Sequence, residues 1–298
     1  MTLNITGTAD VTSVAWIGPM AVFWTAVCSY VSTRVWNRLI GEMACRWRVA
    51  YAPDNRVYAI WVVLYTATAI VVVLQWLALA VPHALVVLDW WTNAGWAAAW
   101  LLSAVWVVLF DKEEGCNFWA SALVLLAASA SAVAAVASEG AWQTGAAGVV
   151  TAAPLALLAG WLLVAAALNI GTALRSASAP EDCRAYVHGV HKVLWLTPEE
   201  HARRIGRALV REEAARTGAL RSSWERAPLV LLALVVAALA FVAYEPLLPL
   251  PLLWALLLQP GLRCPPRAVE AAAFAAAIAG VALAAVRVGD AHAATPLR

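Results

Sequence analysis

Charged residues are scarce in this 298-residue chain, since only 13% of it is Asp, Glu, Lys or Arg, against about a quarter in a soluble domain. Mean hydropathy is correspondingly high, at +0.77. Seven long runs contain no charged residue: 14–33, 57–81, 90–110, 115–138, 140–174, 227–244 and 246–262. An eighth run, 268–286, is nearly free of charge. A run of about 18 apolar residues is long enough to cross a bilayer as a helix. So many runs exclude a soluble enzyme, a secreted disulfide scaffold and a disordered regulator.

The runs also lack the alternation of polar and apolar residues that is typical of a transmembrane β-strand. They consist mainly of Ala, Leu and Val, and each can satisfy its own backbone hydrogen bonds in lipid only as a helix. The sequence therefore predicts an all-α, polytopic transmembrane bundle. The seventh run is the weakest, because prolines leave about nine uninterrupted residues within 246–260. It is expected to be either a thin, broken crossing or a re-entrant segment.

The distribution of basic residues predicts the topology. If all eight runs cross, every Lys and Arg except Arg287 and Arg298 falls on one side of the membrane. By the positive-inside rule this side is the cytoplasm or its topological equivalent, so the basic loops are expected to be cytoplasmic. The net charge of +2 is therefore a topology signal, and nucleic acid is not expected as a partner.

The longest polar segment, 175–226, divides the chain into two groups of helices. Within it, Thr197-Pro198-Glu199-Glu200 is typical of a helix start and precedes a narrow apolar stripe among arginines. This amphipathic helix is predicted either to contact anionic lipid or to be a solvated connector. The predicted organisation is an N-terminal segment (1–13), a five-helix membrane domain (14–174), this basic loop (175–226), about three C-terminal membrane helices (227–287) and a tail (288–298).

Groups that carry catalysis or ion transport are missing from the runs. Ionisable residues are essentially absent from them, which disfavours a proton-driven antiporter or a voltage sensor. The two lysines, Lys112 and Lys192, lie in loops, which excludes a retinal protein. His188 and His191 with Cys183 lack a fourth ligand, so no metal site is predicted. With no Ser/His/Asp order, P-loop or dinucleotide motif, the protein is not expected to be an enzyme.

Tryptophan is abundant instead, with 17 residues. Interfacial anchoring accounts for those at run ends, but not for Trp61, Trp100, Trp106 and Trp161, several of which fall within the predicted spans. A mid-bilayer indole presents a flat apolar face and an N–H group that needs an acceptor. Such residues suit a pocket for a flat apolar ligand, although core packing explains any single one equally well.

Three motifs make this interpretation more specific. On the second helix, Trp-Val-Val-Leu-Tyr at 61–65 is followed by Trp76, and on the third, Asn-Ala-Gly-Trp occupies 93–96. On the fifth, Trp161 is followed by Ala165, Leu168 and Asn169. In this order they resemble the W-x-x-L-Y, N-x-x-W and W-x-x-x-A-x-x-L-N patterns of the translocator protein family (tryptophan-rich sensory proteins, TspO/MBR, peripheral benzodiazepine receptor).

The chain departs from that family at three places and is longer than its five-helix form. The Pro-rich entry to the second helix is reduced to Pro53, Ala69 stands among the residues that replace a mid-helix glycine, and a Pro-Tyr pair before Trp161 is missing. The 227–286 extension is similar in outline to divergent long forms of the family.

The resemblance implies a five-helix core that binds a flat apolar ligand, with tetrapyrrole or sterol handling and a sensory or translocation role. It implies that the second, third and fifth helices converge on the ligand, which is expected to contact Trp61, Tyr65, Asn93, Trp96, Trp100, Trp161, Ala165 and Asn169. No cofactor is required, and a porphyrin or a sterol is the candidate ligand. The expected partners are the lipid bilayer and this small apolar ligand, and a homodimer is left open.

Two other functions are compatible with the same composition. The first is a small-solute transporter or channel with a pore between the two helix groups and no tetrapyrrole binding. The second is a purely structural membrane protein. The two Asn residues likewise have an alternative interpretation, as interhelical links in lipid.

Overall fold

The computed structural model describes residues 8–46, 55–80, 88–111, 115–138, 146–178, 227–243, 247–257 and 278. Every regular element in these ranges is helical, which confirms the all-α prediction for them. The helices are α1 (Thr8–Arg46), a 3₁₀ helix (Asn55–Ala59) that leads into α2 (Ile60–Ala80), α3 (Trp90–Asp111), α4 (Gly115–Ser138), α5 (Ala146–Ser178), α6 (Ala227–Ala243) and α7 (Leu250–Leu257).

Five helices in the described ranges are long and apolar enough to cross a membrane. Their apolar stretches are Ala15–Val35, Val57–Leu79, Trp90–Phe110, Phe118–Ser138 and Ala152–Leu174. These coincide with the first five predicted spans, so the five-helix N-terminal bundle is confirmed. The amphipathic helix predicted after Thr197 and most of the run at 268–286 lie outside the described residues.

The weak seventh run forms a short helix in its described part. α7 has eight residues, which correspond to about 12 Å, far less than the roughly 30 Å of a hydrocarbon core. A turn precedes it, in which the Leu250 N–H donates to the Leu247 carbonyl at 3.1 Å. Pro249 and Pro251 lie at its start, where the missing N–H groups cost no helical hydrogen bond. Residues 258–262 of the run lie outside the described part of the chain, so the choice between a broken crossing and a re-entrant segment stays a prediction.

The five long helices form a closed ring around a single apolar core. α3 packs between α1 and α4, α4 also packs on α5, and α2 closes the ring by contacting α1 and α5. α5 is the most enclosed, with 72% of its span buried, whereas only 28% of the α2 span is buried. Small residues allow the close α3–α4 contact, since a Cβ atom at Gly95 would lie 2.9 Å from Ala135 Cβ and 3.0 Å from the Ser131 carbonyl oxygen.

The C-terminal helices cover part of α5. Leu248 and Leu252 belong to the same buried core as the five-helix ring. A Cβ atom at Gly160 of α5 would clash with the Leu248 carbonyl oxygen, so this close approach requires glycine. On the α2 side, the Trp254 indole N–H donates to the Val57 carbonyl at 3.3 Å. α7 therefore bridges α5 and the 3₁₀ helix that leads into α2.

Candidate ligand site

Six aromatic side chains meet inside the helix ring. This aromatic cluster consists of Tyr58, Trp61, Tyr65, Trp100, Trp106 and Trp161. Trp61 is its centre, because its ring centroid lies 5.8 Å from Tyr65, 6.2 Å from Trp100, 6.3 Å from Trp106 and 6.0 Å from Trp161.

The closest pair in the cluster joins α2 to α3. Tyr65 stacks on Trp100 with ring centroids 4.9 Å apart and planes at 22°. Trp61 and Tyr65 share a face of α2 because they are four residues apart. Trp161 of α5 approaches Trp61 edge-on, at 89°. Three helices thus contribute rings to one cluster, which brings together the predicted site residues Trp61, Tyr65, Trp100 and Trp161. Their contact with a ligand stays a prediction.

One polar connection anchors the cluster to α1. The Tyr65 hydroxyl is hydrogen-bonded to the Ser29 hydroxyl at 3.0 Å and to the Thr33 hydroxyl at 2.9 Å. The Thr33 hydroxyl also donates within its own helix, at 2.6 Å from the Ser29 carbonyl. The ring of Tyr65 is therefore held from two directions, by stacking on Trp100 and by hydroxyl contacts from α1.

A second polar connection links α3, α4 and α5 beside the cluster. The Oδ1 atom of Asn169 accepts from the Trp106 indole N–H at 3.0 Å and from the Ser121 hydroxyl at 2.7 Å. Its Nδ2 atom donates to the Ala165 carbonyl at 3.0 Å. Asn169 is thus an interhelical link, and through Trp106 it touches the aromatic cluster.

Three predicted site residues carry buried indole N–H groups with no acceptor among the described residues. These are Trp96, Trp100 and Trp161, each at most 1% exposed. An unpaired buried donor costs about 1–3 kcal/mol. The interior beside the cluster therefore offers hydrogen-bond donors that an acceptor group could satisfy.

Asn93 lies apart from the aromatic cluster. Its Nδ2 atom shares its two hydrogens among three acceptors, Gln75 Oε1 at 3.1 Å, the Leu88 carbonyl at 3.1 Å and the Asp89 carbonyl at 3.2 Å. Trp96 follows Asn93 by one turn and is fully buried. The two predicted asparagines therefore occupy different places, Asn169 beside the cluster and Asn93 in a contact with α2.

The sequence motifs missed part of this arrangement. Trp106 was recognised as a mid-bilayer tryptophan but was not among the predicted site residues, and Tyr58 and Gln75 had no motif to mark them. A glutamine in the middle of an apolar run was the available signal for Gln75, since a buried amide needs partners. Ala165 is buried in α5, and its position as a ligand contact stays a prediction.

The described ranges contain no group of three or more His, Cys, Asp or Glu side chains that could hold a metal ion. His188, His191 and Cys183 lie outside the described residues.

These features define an integral, multi-pass helical membrane protein with an aromatic interior. The model of the family described as TSPO-like protein matches residues 15–183, more than half of the chain. The chain belongs to the TSPO-like protein family. Comparison with curated proteins and with solved structures gives no match.

Proposed function

We propose that this protein binds a flat apolar ligand, a tetrapyrrole such as a porphyrin or a sterol, at the aromatic cluster within the membrane. The role of that binding is sensory or translocating. The observation that carries the proposal is the set of three unpaired indole N–H groups, on Trp96, Trp100 and Trp161, in and beside the stacked rings. A flat ligand with acceptor atoms would gain ring contact and pair these donors in one step.

Binding requires the rings to separate, because they now stack on one another at 4.9–6.3 Å. α2 is the element suited to this movement. It carries Trp61 and Tyr65. Only 28% of its span is buried, a smaller share than in α3, α4 or α5. A displacement of α2 would open the cluster towards α3 and α5, and the Tyr65 contacts with Ser29 and Thr33 would resist it.

The test measures the affinity of the purified full chain for protoporphyrin IX. Binding is monitored by the absorbance of the porphyrin, because this signal does not depend on the tryptophans that are replaced. Trp100→Phe keeps a ring and removes the unpaired donor. We expect about fivefold weaker binding, equivalent to a hydrogen bond of about 1 kcal/mol. The matched control is Trp91→Phe on the same helix, because Trp91 is 75% exposed.

The same preparation separates the proposal from its alternatives. Equal affinities for the Trp100→Phe and Trp91→Phe proteins would contradict binding at the aromatic cluster. Small-solute flux in proteoliposomes without any porphyrin or sterol binding would support the transporter or channel. The absence of both activities would favour a structural role.

A further inference from the structure

One end of the segment 247–257, here called the strap, is packed on α5. The strap consists of α7 and the turn before it, in which Leu248 is fully buried. A Cβ atom at Gly160 of α5 would clash with the Leu248 carbonyl oxygen and would lie 3.1 Å from Pro251 Cδ. The next residue after Gly160 is Trp161, a member of the aromatic cluster. The strap therefore lies against the part of α5 that carries a cluster ring.

The other end of the strap holds the segment that leads into α2. The Trp254 indole N–H donates to the Val57 carbonyl at 3.3 Å. Val57 is fully buried and belongs to the 3₁₀ helix before α2. Its neighbour Tyr58 meets the ring of Trp161 edge-on, with ring centroids 6.3 Å apart. Both ends of the strap thus contact residues that are next to cluster rings in the chain.

The strap crosses the line along which α2 and α5 meet, here called the α2–α5 seam. Across this seam the ring of Trp61 faces the ring of Trp161, with centroids 6.0 Å apart and planes at 89°. The two helices differ in enclosure, since 72% of the α5 span is buried but only 28% of the α2 span. The strap therefore ties a weakly enclosed helix to the most enclosed span of the ring.

The contact between the strap and the 3₁₀ helix is suited to release. An isolated helix of eight residues is marginal, so the position of α7 depends on its packing. Trp254 is 42% exposed, which places its hydrogen bond near the outer surface of the protein. Loss of this one bond would free the start of α2 while Leu248 stays in the core on the α5 side.

We propose that the strap is an autoinhibitory contact, which holds the α2–α5 seam closed over the aromatic cluster. The inference rests on the proposed function, because ligand binding at the cluster requires α2 to move away from α3 and α5. The Trp254 hydrogen bond exists only while the seam is closed. It therefore lowers the fraction of molecules that are open to the ligand, and the apparent affinity falls by the same factor.

Closure of the seam is tested without any ligand, by hydrogen–deuterium exchange of the purified full chain in detergent, read by mass spectrometry. Trp254→Phe keeps a ring and removes the donor. We expect the backbone amides of 57–61 to exchange about fivefold faster, equivalent to a lost hydrogen bond of roughly 1 kcal/mol. The matched control is Trp119→Phe on α4, because Trp119 is 41% exposed, and it should leave this exchange unchanged.

Autoinhibition is tested by the affinity for protoporphyrin IX, monitored by the absorbance of the porphyrin. Trp254→Phe should bind about fivefold more tightly than the unmodified chain, because the closed state has lost its hydrogen bond. Replacing a residue that only supports the fold would weaken binding or leave it unchanged. A gain in affinity is therefore specific to a contact that opposes opening, and Trp119→Phe should show none.

A second variant reaches the strap from the α5 side. The methyl group of Gly160→Ala should displace the Leu248 carbonyl and carry Trp254 away from Val57. We expect faster exchange at 57–61, although no atom of α2 or of the 3₁₀ helix is changed. This variant keeps the inference open to contradiction even if Trp254→Phe does not fold.

The two measurements separate the strap from the proposed function. Faster exchange together with tighter porphyrin binding supports autoinhibition. Unchanged exchange at 57–61 in the folded variants overturns closure of the seam by the strap. Faster exchange with equal or weaker porphyrin binding overturns autoinhibition and reduces the strap to a packing contact. If neither the unmodified chain nor Trp254→Phe binds porphyrin or sterol, the proposed function fails, while the exchange measurement still decides whether the strap holds α2.

Discussion

Asn169 illustrates how a single residue can serve both packing and the candidate site. Its oxygen receives hydrogen bonds from α3 and α4, and its nitrogen bonds to its own helix, so every polar atom of the side chain is paired. Interhelical hydrogen bonds of this kind contribute about 0.6–2 kcal/mol in membranes. The structure therefore supports the interpretation of Asn169 as an interhelical link, while ligand contact stays a prediction.

Ser121→Ala tests that link. Loss of the 2.7 Å hydrogen bond to Asn169 is expected to destabilise the protein by about 1 kcal/mol, measured by SDS unfolding or by the melting temperature in detergent. Ser129→Ala is a matched control on the same helix, since Ser129 is equally buried but its hydroxyl bonds to the Leu125 carbonyl. Equal stability losses for the two variants would contradict an interhelical role.

At the scale of elements, helicity continues beyond the apolar runs. The first run was predicted from 14 to 33, but α1 extends to Arg46 and includes Arg34 and Arg38. α5 similarly continues to Ser178 after the run that ends at 174. Apolarity marks the part of a helix that can lie in lipid, whereas the backbone can remain helical in the interface, so run length underestimates helix length.

The contact between α5 and α7 depends on one glycine. Gly160→Ala would place a methyl group against the Leu248 carbonyl, so α7 should shift away from α5 and the melting temperature should fall. This is the opposite of the usual stabilisation by Ala of about 0.5–1 kcal/mol in a helix. Ala130→Val, on the exposed surface of α4, is the control for added bulk. A higher melting temperature for Gly160→Ala would show that the contact contributes nothing.

At the scale of the whole molecule, the sidedness of the basic loops is a proposal that a cysteine scan can test. Single reporter cysteines at Ser178 and Gly140 lie beyond opposite ends of the fifth span, Ala152–Leu174. We expect an impermeant thiol reagent to label the Gly140 reporter from outside intact cells and the Ser178 reporter only after permeabilisation. A cysteine-free background removes signal from Cys28, which is exposed.

Labelling of both reporters from the same side would contradict the crossing of α5 and the helix count before it. Labelling from opposite sides, but with Ser178 outside, would preserve the count and reverse the orientation. The proposed topology therefore stands only if both reporters behave as expected.

The sequence by itself determined the class of this protein, its five N-terminal spans and its family. These properties depend on composition, run length and motifs within single helices, and a backbone in lipid has few ways to satisfy its hydrogen bonds. Trp61 and Tyr65 were likewise predictable as one face of α2, because their spacing is local.

Only the tertiary structure decided which helix faces meet and at what depth. It brought Trp106 against Trp61 and paired Asn93 with Gln75, although the motifs suggested that both asparagines would lie with the aromatic rings. It also placed α7 on Gly160. These α-helices are apolar on nearly every side, so their rotation and depth depend on close packing and on the few buried polar pairs, neither of which leaves a periodic signal in the sequence.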